Sequence, residues 1–512
     1  MGEEKAIIIG AGAGGLAAAI DLARTGIKVD VFEAAAESGG KIHQAFPDGQ
    51  PMDAGPTVFT MRWVFEQLFD DAGADLQDTL SLQSANLLAR HAWQDGGTLD
   101  LFANRQKSAD AIRDFAGPDE ADGYLKFCQE SANIYEKLRG PFIQGQRPSP
   151  LEVISRVGLL NMPSFIQNIK PMQTLWKALS RHFKDDRLRQ LFGRYATYVG
   201  SSPYHTPATI MLVAHVEQEG VWAVDGGMKS VAIAMQNLGE KLGAEFHFNT
   251  PVKNIITKNS SVTGVHLENG DEHRADIIVF NGDSSALAMG MLGDDIKRAA
   301  RAVSPKQRSL SAVTYCMHSP ANGFPLAHHN VFFADDYAKE FQAIFDERRI
   351  TDNPTVYLCA QDRGAENDTN RSDTDKERLF LLINAPADGD LNDCRKKINI
   401  EQLTQNVDRL LQRCGLEINF DESSTKIAQP SDFHNRFPAS GGALYGQTCH
   451  GMMATMERAG ARTPVAGLYL AGGSVHPGAG VPMATMSGRL AAQAYMQDRS
   501  RRISVPQTAL GS

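Results

Sequence analysis

The stretch Lys5-Ala6-Ile7-Ile8-Ile9-Gly10-Ala11-Gly12-Ala13-Gly14-Gly15 decides how the chain begins. Lys5 to Ile9 form an apolar run too short for a helix and ended by glycines, the pattern of a strand buried on both faces of a parallel sheet. The alanine-rich residues 16–25 read as a helix that Gly26 stops, and Lys28 to Phe32 supply a second strand ending at Glu33. This β-α-β unit starts a doubly wound α/β fold. Its turn is a G-x-G-x-x-G: Gly10 permits the tight turn, Gly12 lets the backbone approach a pyrophosphate, and Gly15 lets helix and strand pack closely. Alone, the turn is equally compatible with a flexible glycine connector. Glu33 stands near the roughly 20-residue distance at which a carboxylate accepts ribose hydroxyls, and it disfavours a 2'-phosphate. NAD satisfies these features as well as FAD.

With 512 residues, 42% hydrophobic and 22% charged, the chain can bury a core shared by two or three domains. A net charge of -9 argues against nucleic-acid binding, which needs an excess of Lys and Arg on one face. Cys128, Cys316, Cys359, Cys394, Cys414 and Cys449 form no C-x-x-C pair, so neither a metal site nor a disulfide framework is expected, and a reducing cytoplasm fits. The acidic start passes directly into a strand, unlike the basic start and longer apolar stretch of a secretion signal. A spanning helix would need roughly 18 apolar residues in a row, which do not occur, while attachment to a membrane surface stays open.

From about residue 110 to 235 the spacing is helical, interrupted by Pro141, Pro148, Pro163 and Pro171, and reads as an insertion. Strands return at 245–248, 252–257, 264–268 and 277–280, with Asn269-Gly270 as a hairpin-like connection between the last two. Runs at 311–317, 355–360 and 380–384 suggest a second sheet, and the polar stretch 361–377 a solvated loop.

FAD is favoured over NAD by what surrounds this start. Ser38-Gly39-Gly40-Lys41 resembles the glycine doublet and basic residue that follow the ribose-binding glutamate in flavoproteins with two dinucleotide-binding domains. Near the other end, residues 467–471 read as a buried strand leading into Gly472-Gly473-Ser474-Val475-His476-Pro477-Gly478-Ala479-Gly480-Val481-Pro482. A helix at about 483–496 follows, and its N-terminus can stabilise negative charge on a reduced isoalloxazine ring.

These two ends resemble the phytoene-desaturase-like carotenoid desaturases within the broader amine-oxidase flavoprotein superfamily. Asp53-Ala54-Gly55-Pro56-Thr57 matches the D-x-G-P-T segment that the family places against the flavin, and 194–200, 220–228 and 476–482 continue the match. Residues 89–93, 432–438, 441–446 and 450–453 further resemble the bacterial hydroxycarotenoid 3,4-desaturases, also called methoxyneurosporene dehydrogenases. The resemblance implies an FAD-binding doubly wound domain of the amine-oxidase/phytoene-desaturase type, a sheet-based substrate domain and a helical insertion facing a membrane. It divides the chain into FAD-binding parts at 1–70, 221–290 and 441–500, substrate-domain parts at 71–110 and 291–440, an insertion at 111–220 and a tail at 501–512. It implies cofactor contacts at Gly10, Gly12, Gly15, Glu33, Gly40, Lys41, Gly55, Pro56, Thr57, Val252, Gly472, Gly473, Ser474, Val481, Pro482 and Met483. Ser474 stands about where many amine-oxidase relatives carry an acidic residue, and a hydroxyl makes that hydrogen bond more weakly.

The implied activity is FAD-dependent desaturation of an acyclic carotenoid, a 1-hydroxy or 1-methoxy carotenoid at the 3,4 bond, by an enzyme peripheral on the cytoplasmic side of a bacterial inner membrane. Other carotenoid desaturases or isomerases, an amine oxidase and a non-catalytic prenyl-lipid escort are the alternatives. His476, in a tight Gly/Pro-rich turn, and Arg194 are the candidate catalytic residues. A structural role for His476 is equally compatible, and Arg194, Tyr195 and Tyr198 are core or rim residues on the alternative reading. His91 and His434, lone histidines beside aromatics, read as packed. Between Phe165 and Arg194, Lys170, Lys177, Arg181, Lys184, Arg187 and Arg189 interleave with Ile166, Ile169, Leu175, Trp176, Leu179 and Phe183, as in an interfacial helix or in a solvated helix packing on the core.

Overall fold

Five parallel strands carry the β-α-β start. In this computed structural model, which describes residues 4–158, 162–364, 375–391, 398–452 and 454–504, they run in the order Leu468–Leu470, Ile277–Phe280, Lys5–Ile9, Lys28–Phe32, Glu245–His247. Ile8 lies opposite Val279 on one side and Val31 on the other, all fully buried. Strands covered on both faces need apolar side chains at successive positions, so this one does not alternate. The first connection moves one way along the sheet, and the connection into Ile277–Phe280 returns to the far side of Lys5–Ile9. The winding reverses between those two strands, which opens a crevice at their C-terminal ends.

Helix Ala13–Ala23 buries all its residues because Lys229–Lys241 and Val481–Ser504 both pack on it. Lys229–Lys241 therefore stands with the parallel sheet, although helical spacing alone would run the insertion through residue 235. The hairpin at Asn269-Gly270 also has a different partner from the one expected. It joins Ser261–Leu267 to Glu272–Arg274, while Ile277–Phe280, buried throughout, enters the parallel sheet.

The second sheet has seven strands, in the order Thr425–Ala428, Ser311–Ser319, Glu377–Ala385, Val356–Ala360, His329–Phe332, Leu87–Ala92, Thr98–Phe102. Its two faces follow from the period of two. Leu379, Leu381 and Ile383 pack with Leu403, Val407 and Leu410 of the amphipathic helix Ile400–Arg413, whereas Phe380, Leu382 and Asn384 face a large cavity. Of the polar stretch 361–377, residues 365–374 lie outside the described residues, as do Cys394, Met453 and 505–512, and Glu377 already begins a strand.

The helical region roofs the cavity. The stretch 165–194 does not form one interfacial helix: it is divided among Met162–Ile169, Leu175–Leu179 and Asp186–Gly193, the last two capped by Thr174 and Asp185. Leu175, Leu179 and Phe183 are buried in the core, and Phe165, Ile166 and Ile169 line the cavity. Lys170 pairs with Glu130, Lys184 with Asp119, Arg187 with Asp185 and Arg189 with Asp186. Separate caps let each short helix turn its apolar side inward. Among the described residues no helix is long and apolar enough to cross a membrane.

Candidate active site

Glu33 ends the second strand and accepts the backbone amides of Ala11 at 2.6 Å and Ala35 at 2.8 Å, which draws its carboxylate against the glycine turn. Gly10 adopts φ +97°, open to glycine at little cost, and a Cβ on Gly15 would collide with the Gly10 carbonyl oxygen. The Gly39 amide donates to the Ala11 carbonyl at 2.8 Å, so the glycine doublet forms a wall beside the first turn. Lys41 donates from Nζ to the Leu444 carbonyl at 2.7 Å. Burial lowers its pKa to about 8, with Arg458 adding to that effect and Asp283 opposing it.

Asp53 works behind this wall. Its carboxylate accepts the amides of Met228 at 2.6 Å and Lys229 at 3.4 Å, and burial raises its pKa. That bond fixes the following Gly55-Pro56-Thr57 against Lys41, whose carbonyl oxygen leaves no room for a Cβ at Gly55. Thr57 Oγ1 lies 2.7 Å from the Tyr357 hydroxyl of the second sheet. From the other end of the chain, Gly472 donates to Ser487 Oγ at 2.7 Å, and helix Val481–Ser504 points its first turn into the same space.

All the expected cofactor contacts except Gly15, which stands behind the turn, line one cavity of about 1190 Å³. That exceeds the roughly 300–1,000 Å³ of a pocket for one small ligand. Ser474 Oγ accepts the Ser284 amide at 3.1 Å, which commits a lone pair and leaves its proton to donate. Asn281 and Asp283, which sequence reasoning missed, line the cavity as well. Asn281 donates from Nδ2 to the Gly10 carbonyl at 3.1 Å and crowds Gly12, Gly14 and Gly472, joining three segments. The available signal is a polar residue immediately after a fully buried strand.

The two candidate catalytic residues part company. His476 does not line the cavity: it is buried with Nε2 2.9 Å from the Gly145 carbonyl oxygen and its ring edge-on to Phe142. Burial lowers its pKa to about 4. It fastens the C-terminal glycine segment to the helical region. Arg194 and Tyr198 do line the cavity, while Tyr195, His91 and His434 do not. His91 is buried 3.1 Å from the Leu99 carbonyl, its pKa lowered to about 3 by burial.

The cradle fits FAD: a close-approach glycine turn at a helix N-terminus suits the pyrophosphate, Glu33 suits the ribose, and the wall from Gly472 to Met483 suits the ring. The family described as flavin containing amine oxidoreductase matches residues 13–496. The chain belongs to this family. It is an FAD-dependent oxidoreductase of the carotenoid-desaturase branch. It is 47% identical over 505 residues to the hydroxyneurosporene desaturase of Rubrivivax gelatinosus, covering 98% of this chain and 95% of the relative. Identity to the protein of that name from Cereibacter sphaeroides is 41% over 503 residues, covering 97% and 98%. Among solved structures, cyclohexylamine oxidase from Brevibacterium oxydans superposes with TM-score 0.57 at 16% identity, covering 98% of this chain and 100% of that one, a likeness of fold alone.

Proposed function

We propose that this oxidoreductase desaturates an acyclic carotenoid carrying a 1-hydroxy or 1-methoxy group, at its 3,4 bond. The observation that carries this reading is the nearly end-to-end likeness to two hydroxyneurosporene desaturases. The cavity wall supports it: Phe142, Ile154, Phe165, Ile169 and Val213 extend an apolar surface from the cofactor cradle through the helical roof. Bound FAD would supply an acceptor for the hydride removed from one carbon, while the neighbouring carbon gives up a proton. The chain's own residues hold the polyene by dispersion contacts, exclude water and keep the reacting carbons aligned.

A free carotenoid is too apolar to travel through water, so the enzyme takes it from lipid at a membrane surface. The docking edge in this reading is the rim formed by Leu151, 78% exposed, and Met172, 75% exposed, beside the cavity-lining Ile154. Anaerobic incubation of the holoenzyme with acyclic carotenoids in vesicles tests the activity. Flavin should bleach in step with a product that gains one conjugated double bond. Pigments left unchanged would reject desaturation, and equal turnover of an unsubstituted carotene would reject the oxygenated substrate.

A further inference from the structure

Arg194 opens the short helical turn Arg194–Val199 and faces the cavity. Protein surrounds its guanidinium, so the surface it retains is cavity surface rather than bulk water. Tyr198, one turn on, supports it: the hydroxyl lies 3.4 Å from Nη2, and the guanidinium carbon 5.2 Å from the ring centre. Glu217 stands behind, accepting the hydroxyls of Tyr195, at 2.7 Å, and Tyr198. The positive charge is thus balanced through tyrosine hydroxyls, and among the described residues Arg194 makes no direct ion pair with a carboxylate. Nε is sealed off without a partner, whereas Nη1, equally without one among the described residues, is not sealed off. A guanidinium short of acceptors in an apolar enclosure is costly, and a ligand in the cavity is what can supply one.

We propose that Arg194, held by Tyr198 and Glu217, reads the oxygen at the substrate's end and so sets the preference for an oxygenated over a hydrocarbon carotenoid. This rests on the substrate assigned above. Because Glu217 already balances the charge, the subsite offers N–H donors to a neutral acceptor, a hydroxyl or ether oxygen, without requiring an anion. Its position suits the 3,4 bond. Gly200, closing the same turn, packs on the Tyr445 ring, Arg458 donates to the carbonyls of Tyr445 and Gly473 at 2.9 Å each, and Gly446 backs onto Ser474. Arg194 also acts electrostatically on Tyr445 and on Tyr357, whose hydroxyl meets Thr57, so the subsite borders the cofactor cradle. An oxygen on C1 is only a few bonds from C3 and C4, so the group that reads it has to lie close to the reacting end.

The test compares wild-type holoenzyme with Arg194→Met and Arg194→Lys on a 1-hydroxylated acyclic carotenoid and its unsubstituted counterpart in vesicles, measuring kcat, KM and flavin content. The ratio of kcat/KM values should fall about 10- to 100-fold in Arg194→Met. The fall should lie in KM for the hydroxylated substrate, with flavin content retained. Arg194→Lys, which keeps the charge but not the fork, should give an intermediate ratio. An unchanged ratio in flavin-loaded Arg194→Met overturns the proposal, and if that variant does not fold, an unchanged ratio in Arg194→Lys does so. A wild-type enzyme with no desaturation, or with no preference, rejects the assigned substrate and this proposal with it, and is told apart by needing no variant.

Discussion

Gly14 and Gly488 bring two helices from opposite ends of the chain into backbone contact, because a Cβ on Gly488 would collide with the Gly14 carbonyl oxygen. The cofactor cradle is closed by this crossing, since the turn at Gly12 precedes one helix and the wall from Gly472 to Met483 leads into the other. Gly488→Ala should force the helices apart, costing about 1–3 kcal/mol. The expected outcome is a lower Tm and flavin release at a lower temperature. An unchanged Tm would mean that the crossing relaxes freely.

The proposal that the glycine turn holds the pyrophosphate is tested at Gly12 and Asn281. A Cβ on Gly12 would stand 2.9 Å from Asn281 Nδ2, which is already committed to the Gly10 carbonyl. Gly12→Val should purify without stoichiometric FAD, and Asn281→Ala should weaken FAD binding about tenfold, the worth of one good hydrogen bond. Flavin absorbance and a titration of the apoprotein measure both. Unchanged affinity in Gly12→Val would move the phosphate site elsewhere.

Gly10, Gly12 and Glu33 are legible in the sequence because their requirements are local: a strand, a tight turn and a helix start within one β-α-β unit. Asn281 is not, because its importance comes from register. Phe280 lies opposite Ile9, so the residue that follows it meets the glycine turn of a strand far away in the chain. The partner of Ile277–Phe280 is hidden for a related reason, since four apolar residues suit either a hairpin or a sheet interior until the neighbours are known. His476 shows the limit most clearly. Its Gly/Pro-rich surroundings mark a turn beside the cofactor, but the side chain follows the Gly145 carbonyl, 331 residues away.

That placement predicts a pH dependence. Burial lowers His476, like His43 and His450, to about 4 from an ordinary 6.5. Between pH 6.5 and 4 the unfolded chain binds more protons than the folded one, so stability falls as pH falls and levels off below the folded value. One such histidine contributes a slope of at most about 1.4 kcal/mol per pH unit in that window. His476→Gln should make the slope of denaturation free energy against pH shallower while keeping turnover within about tenfold, since the ring lies outside the cavity. Loss of turnover with normal flavin content would instead return His476 to the chemistry.

On the proposed membrane docking, the rim of the cavity is the part that meets lipid. Most basic residues between 165 and 194 are engaged within the protein, Lys170, Lys184, Arg187 and Arg189 by carboxylates and Arg194 by the cavity, so little charge is left there for anionic headgroups. Leu151 and Met172, by contrast, are 78% and 75% exposed beside an apolar opening. Transfer of one such side chain from water into hydrocarbon is worth about 1.5–3 kcal/mol. Docking should therefore be driven by apolar insertion and be only weakly sensitive to salt, in contrast to attachment by a basic helix, which salt would screen. Sedimentation with vesicles of neutral and anionic lipid, at low and high salt, separates the two. Leu151→Glu with Met172→Glu should lower binding to both vesicle types by at least about tenfold, whereas Lys177→Glu with Arg181→Glu should change it little. Binding that ignores the rim pair and collapses in salt would place the membrane contact on a charged surface elsewhere.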